Sequence, residues 1–423
     1  MSQPTKVRYA ILSIATANAF ILYLDRVCMG AVVQSQSFQS EMNLSRQDVG
    51  DILASFFFAY ALGQTPAGYL ADRFGARRML VVYILAWSLC TALTGFIGGL
   101  IGLIVVRSAC GLAEAGAYPA SGLLISRWFP FAQRARANSV VAFGGRIGNS
   151  LALWLTALAI VALGSWRPVL WIYGSIGIVL AIATHIVFRD HPTLHPWTNA
   201  AEKNLVPPLT PVVIRTSPWL ALATHRGLWF LNIASLGLNF GWAFLITWLP
   251  TYLVEVRGLD QVTASRYVSL ALAASLGGML FGGWWCDALT KRYGQLWGRR
   301  LPFILGGTTA ALAYLVCPIL PSAIAVAAVC AVVAFATDSV MPAIWALGQD
   351  IGGTHIASTM AWSNMWGNFG ASAVAKIIPL ILATSLHQKN WQEIFYLCAL
   401  GFVVLAVSSL FIDSTRTLAI KAA

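Results

Sequence analysis

The stretch Gly68-Tyr69-Leu70-Ala71-Asp72-Arg73-Phe74-Gly75-Ala76-Arg77-Arg78 closes one long apolar segment and opens the next. Its glycines permit close helix approach. Asp72 sits at a helix end, where it can accept from backbone N–H groups or meet a basic neighbour. The arginine pair marks a loop that stays in water. The same punctuation returns as Gly282-Gly283-Trp284-Trp285-Cys286-Asp287, then Lys291-Arg292-Tyr293-Gly294, then Arg299-Arg300. Each copy places a glycine four or five residues before an aspartate, followed by a glycine and paired arginines. Two halves punctuated alike imply a duplicated fold with a site between the copies.

Reading outward from these loops, the 423-residue chain is 58% hydrophobic and only 10% charged, against about 25% charged residues in soluble domains. Lipid is therefore the expected solvent. A spanning helix needs about 20 apolar residues, and twelve such segments follow one another, near 9–33, 50–71, 79–97, 100–126, 137–163, 168–188, 228–254, 267–289, 302–320, 323–347, 355–384 and 391–412. They are too long, and alternate too little, for the roughly 10-residue strands of a membrane barrel. The sequence predicts an all-α polytopic membrane protein with twelve transmembrane helices in two pseudo-symmetric six-helix halves. The halves are 1–188 and 227–423. Residues 189–226, rich in proline (Pro192, Pro196, Pro207, Pro208, Pro211 and Pro218), form a cytoplasmic, semi-rigid linker that resists a packed fold.

The net charge of +12 does not point to nucleic acid, because the Lys and Arg residues sit in short loops. With the N-terminus inside, the inner loops and tails hold Arg73, Arg77, Arg78, Arg127, Arg134, Arg136, Arg299 and Arg300 among others. The outer loops hold only Arg46, Arg167, Arg257, Arg266 and Lys389. The positive-inside rule then puts both termini in the cytoplasm. The first apolar block carries Asp25-Arg26 and no small-residue cleavage pattern, so it reads as a retained span. Seven cysteines show neither zinc-ligand nor Cys-x-x-Cys spacing and read as small core residues. No P-loop and no metal-ligand constellation occurs, and His185 is the one histidine in the interior of a predicted span. An enzyme, a metal or a resident cofactor is not expected. Trp128, Trp166, Trp248 and Trp391 near segment ends read as interfacial anchors.

Four charges lie where charge is expensive: Asp25 and Arg26 within Ile11–Val33, and Arg107 and Glu114 within Leu100–Ile125. Each costs about 2.5–3.5 kcal/mol on insertion scales unless it pairs, lines a cavity or carries ions. With the repeated loop, these residues carry a family resemblance. Gly68–Arg78 resembles the signature loop of the major facilitator superfamily, and the Asp287 loop resembles its decayed second copy. Tyr23-Leu24-Asp25-Arg26, the run from Arg107 through Glu114 to Tyr118-Pro119, and Asn364-Met365-Trp366-Gly367-Asn368-Phe369-Gly370 are similar to signatures of its anion:cation symporter branch, which includes bacterial sugar-acid/proton symporters such as galactonate or hexuronate carriers. The resemblance implies import of an organic anion, a carboxylate such as a hexuronate or aldonate, by proton symport through alternating access. An organic-anion exchanger or a sodium-coupled carrier is the alternative. It further implies a monomer in a bacterial inner membrane whose partners are the anion and the bilayer.

Within that frame each charge has a candidate task. Arg26 offers a planar fork for a carboxylate, with Tyr23, Tyr60 and Gln64 adding hydroxyl and amide contacts. Asp25, Glu114 and Arg107 form the proton-coupling set, in which a helix-one Asp25 to helix-four Arg107 salt bridge opens on protonation. Arg146 is a second anion contact, at a position where sugar-acid carriers tend to have a neutral group. Asn364 and Asn368 share a helix face and can serve hydroxyls. Asp338 is expected to pair with Lys376. Gly68, Asp72, Arg73, Gly75, Arg77, Arg78 and Asp287 form a conformational-gate loop set.

Overall fold

Gly75 and Gly294 show how the chain turns at its repeated loops. Both adopt the left-handed region, with φ of 94° and 77°, where glycine avoids the steric penalty of a Cβ. The chain therefore bends sharply between consecutive helices at equivalent points of the two halves. The computed structural model describes residues 3–208, 218–384 and 391–418, apart from the side chains of residues 46, 261, 262, 375, 376, 383 and 384.

Among the described residues, ten helices are long and apolar enough to cross a membrane. One of these, Thr263–Ile319, is two spans joined at Gly294. A further helix, Arg46–Phe74, has spanning length but is less apolar. The expected twelve are thus α1 (Val7–Val32), α2 (Arg46–Phe74), α3 (Ala76–Thr94), α4 (Leu100–Trp128), α5 (Arg134–Leu163), α6 (Trp166–Val187), α7 (Arg226–Thr247), α8 (261–293), α9 (295–316), α10 (Ala323–Ile351), α11 (Ile356–Thr384) and α12 (Trp391–Ser409). Local chemistry sets their ends. Ser45 and Asp48 form a reciprocal capping box at the start of α2, and Ser322 caps α10. Gly164, at φ 70°, ends α5.

Packing repeats with the sequence. In the first half α1 lies on α5, α2 on α4 and α3 on α6; in the second α7 lies on α11, α8 on α10 and α9 on α12. One buried apolar cluster is drawn from residues 222–418 with Ala135, and two others from residues 11–188 with Ala357. Large apolar side chains such as Phe58, Ile101, Val161 and Leu270 remain exposed around the outside, as a lipid-facing surface requires.

The first part of the linker is not the loose spacer expected from its prolines. Residues 189–206 fold onto the first half. The Trp128 indole donates to Arg189 O at 2.7 Å, and Asp190 accepts from Arg77 N at 3.0 Å. Glu202, buried in the short helix Ala200–Lys203, accepts from Val7 N and Arg8 N at 3.3 and 3.1 Å, from the Thr5 hydroxyl, and from the Arg8 guanidinium. α1 has no side-chain cap of its own, so the linker supplies one. Residues 209–217, Pro211 included, lie outside the described residues. Three expected surface anchors, Trp128, Trp166 and Trp391, are buried instead. Two of them find partners there: Trp128 holds the linker and Trp166 donates to Glu41 at 2.9 Å.

Candidate functional site

Helices α1 and α4 bring Arg26 and Glu114 together. The Arg26 Nε donates to Glu114 Oε2 at 2.9 Å, and Nη2 lies 2.9 Å from the same oxygen. The guanidinium carbon sits 4.4 Å from the Tyr60 ring centroid, 5.0 Å from Tyr23 and 5.4 Å from Phe56. Tyr60 stacks on Phe56. These rings fix the cation by cation–π attraction in a place with little water. The contact to Glu114 uses one carboxylate oxygen, so the guanidinium fork is not matched by a bidentate partner.

The expected Asp25–Arg107 salt bridge is not formed. Neighbours on a helix project about 100° apart, and on α1 it is Arg26 that bonds Glu114, while Asp25 lies within electrostatic reach of the same carboxylate. Asp25 is fully buried and neither carboxylate oxygen has a hydrogen-bond partner. The Trp87 indole faces it, also without a partner. Arg107 lies within electrostatic reach of both Asp25 and Glu114, but its guanidinium packs over Phe56 at 4.6 Å and donates to Arg26 O at 3.5 Å. The four buried charges therefore form one neighbourhood with one bonded pair, Arg26–Glu114.

Gln64 is fully buried with both amide atoms unpartnered. Across the bundle, Asn364 lines a small pocket with Ser235, Asn239, Met341, Trp345 and Ser363. Asn368 instead donates to Asn364 O at 2.9 Å on its own helix. Arg146 on α5 reaches Asp338 on α10 at 2.8 Å and lies 4.9 Å over the Trp242 ring. Asp338 was expected to pair with Lys376, whose side chain lies outside those described. Sequence reasoning did not single out Trp87, Trp242, Trp345 or Asn239; a tryptophan or asparagine in an apolar run does not announce which way it faces.

The loop residues act at the end of the molecule that carries the arginines. Asp72 accepts from Ala357 N at 2.8 Å, Ser358 N at 2.7 Å and the Ser358 hydroxyl at 2.6 Å, which caps α11 from the other half. Gly68 makes this approach possible: a Cβ there would lie 2.5 Å from Ala357 O. Asp287 does the matching job for α5, accepting from Ala135 N at 3.2 Å and Arg136 N at 2.9 Å. Of the loop cations, Arg77 donates to His185 O at 3.1 and 2.7 Å, while Arg73 and Arg78 are exposed. Arg299 is not the solvated loop arginine expected. It is fully buried, 2.8 Å from Asp350 and 3.7 Å from Asp287, and Asp350 also pairs with Arg134 at 3.4 Å. Among the described residues, the hydrogen bonds between the halves run from the Arg146–Asp338 level toward this basic end.

Twelve spanning helices among the described residues, in two matching halves that are joined at one end and hold paired charges midway, fit a polytopic membrane transporter. The family model described as Major Facilitator Superfamily matches residues 15–375, and the chain belongs to that family. It is 28% identical over 426 residues to a probable sulfoacetate transporter of Cupriavidus necator, with 99% of this chain and 96% of that protein covered. It is 28% identical over 323 residues to a D-galactonate transporter of Escherichia coli, covering 72% and 73%. The crystal structure of the transporter FucP in the outward conformation superposes with a TM-score of 0.72 at 13% identity, covering 95% and 98% of the two chains.

Proposed function

We propose that this chain is a secondary active transporter that imports a small organic carboxylate, a sugar acid such as a hexuronate or aldonate, together with protons. The observation that carries the reading is Arg26: a guanidinium in an aromatic cage, held by one oxygen of a buried glutamate. A substrate carboxylate can take the fork bidentately, but only if Glu114 lets go. A proton on Glu114 removes its charge and releases Arg26 to the substrate. Substrate and proton then bind together, which is the requirement of symport. Asp25, buried beside Trp87 and Arg107 without a hydrogen bond, is the second proton-bearing group in this scheme. Relatives named as a probable sulfoacetate transporter and a D-galactonate transporter support an acid as cargo.

The basic end is read as cytoplasmic, with both termini there, in a bacterial inner membrane. The halves joined at that end correspond to an outward-facing state in an alternating-access cycle. Uptake into proteoliposomes tests the reading. An inward proton gradient should drive accumulation above equilibrium for the wild type and not for Asp25→Asn or Glu114→Gln. Concentrative uptake by both variants at low outside pH would sink the proton roles. Fast counterflow with no accumulation under any proton gradient would favour exchange instead.

A further inference from the structure

The ion pair Arg146–Asp338 has no part in the scheme above, yet it spans the two halves midway through the bundle. Arg146 lies twelve residues into α5 and Asp338 thirteen from the end of α10, so both are about 18–20 Å from the basic end at 1.5 Å per residue. Among the described residues no other hydrogen bond between the halves is as far from that end. The bond uses one oxygen of Asp338; the other is buried without a partner. Buried ion pairs gain little over apolar packing, so one kept here is a poor structural tie.

Its position relative to Arg26 is the second observation. At Gly145, the neighbour of Arg146, a Cβ would lie 2.5 Å from the Tyr118 hydroxyl and 2.7 Å from the Tyr23 ring. The same Tyr23 ring lies 5.0 Å from the Arg26 guanidinium. One tyrosine layer thus separates two guanidiniums, each held by a single oxygen of a buried protein carboxylate. We propose that Arg146 receives a second anionic group of the substrate in exchange for Asp338, so that within the acids proposed above one with an anionic group at each end is preferred over the singly charged hexuronates and aldonates. This deepens the reading of Arg26 as the anion grip and rests on it. It also makes substrate binding open the inter-half hydrogen bond that, among the described residues, lies farthest from the basic end.

The test is calorimetric binding to the full chain in nanodiscs, using acids matched except for one terminal charge: gluconate with glucarate, galactonate with galactarate, and glycolate with sulfoacetate. In at least one pair the doubly charged acid should bind about 10- to 100-fold tighter, the worth of a charge-assisted hydrogen bond in a site poor in water. Arg146→Gln should bring that ratio near one, Arg146→Lys should keep part of it, and Asp338→Asn should widen it by freeing Arg146. Thermal melts establish that each variant is folded. Equal affinity within every pair for the wild type overturns the proposal, as does an unchanged ratio in Arg146→Gln or, if that variant does not fold, in Arg146→Lys. Equal affinities that still collapse in Arg26→Lys overturn only the second contact. Binding of none of these acids, or binding insensitive to Arg26→Lys, overturns the carboxylate reading as well.

Discussion

Replacing Asp72 with alanine should unfasten the halves at the basic end. The side chain accepts three hydrogen bonds from the first turn of α11, at 2.6–2.8 Å. Bonds to a charged acceptor contribute about 1.5–3 kcal/mol each, and a carboxylate at a helix N-terminus adds about 0.3–1 kcal/mol. Water recovers part of this once the ends separate, which leaves about 2–4 kcal/mol in favour of the closed basic end. At 1.4 kcal/mol per tenfold, the loss shifts the conformational ratio by roughly 30-fold to several hundred-fold. Asp72→Asn, which keeps one acceptor oxygen, should cost about half as much. Spin labels at the exposed positions 78 and 293, in the corresponding loops of the two halves, read this directly by double electron–electron resonance. The wild type should give one short distance, and Asp72→Ala a large longer-distance population. An unchanged distribution in a variant with a lowered melting temperature would show that Asp72 holds α11 in place without biasing the conformation.

Further expectations follow from other parts of the molecule. Arg26→Lys keeps the charge but loses the fork, so binding of the transported acid should fall about 10- to 100-fold by calorimetry. Arg299→Ala leaves Asp350 and Asp287 buried at the interface, and losing one partner of a buried pair costs about 3–5 kcal/mol; thermal unfolding in detergent should drop accordingly. In the linker, burial lowers the affinity of His191 and His195 for protons. Each ring uses one nitrogen as an acceptor, from Thr193 N at 3.2 Å and Trp197 N at 3.1 Å, which only the neutral form allows. Their stabilisation is complete above the unfolded value of about 6.5 and is lost as pH falls below it. Limited proteolysis of the linker should therefore speed up between pH 7 and pH 5.5, and a rate flat across that range would count against the strap.

What was legible in the sequence was what depends on composition and spacing. The apolar segments were readable from hydropathy and length, and the repeated Gly–Asp–Gly punctuation because glycine at positive φ and aspartate at a helix end have few substitutes. The membership of the buried charge cluster was legible too, since charge in an apolar run is rare. Its pairing was not. Arg26 and Asp25 differ by one residue, and the turn of α1 about its axis, fixed by packing on α5, decides which of them meets α4. The contacts Arg146–Asp338 and Arg299–Asp350 join segments some 190 and 51 residues apart, and no local pattern encodes such partners. The linker misled for a different reason: its prolines disfavour regular helix, but they do not prevent Asp190 and Glu202 from capping the helices they cross.

In the proposed cycle Glu114 and the substrate compete for Arg26, with a proton deciding between them. The most direct test is sugar-acid uptake into proteoliposomes, with and without an inward proton gradient, for the wild type and Glu114→Gln. The wild type should accumulate the acid, and a protonophore should abolish this. Glu114→Gln, with Arg26 permanently released, should bind the acid more tightly at neutral pH but only equilibrate it, gradient or not. Accumulation by Glu114→Gln to the wild-type level would contradict the claim.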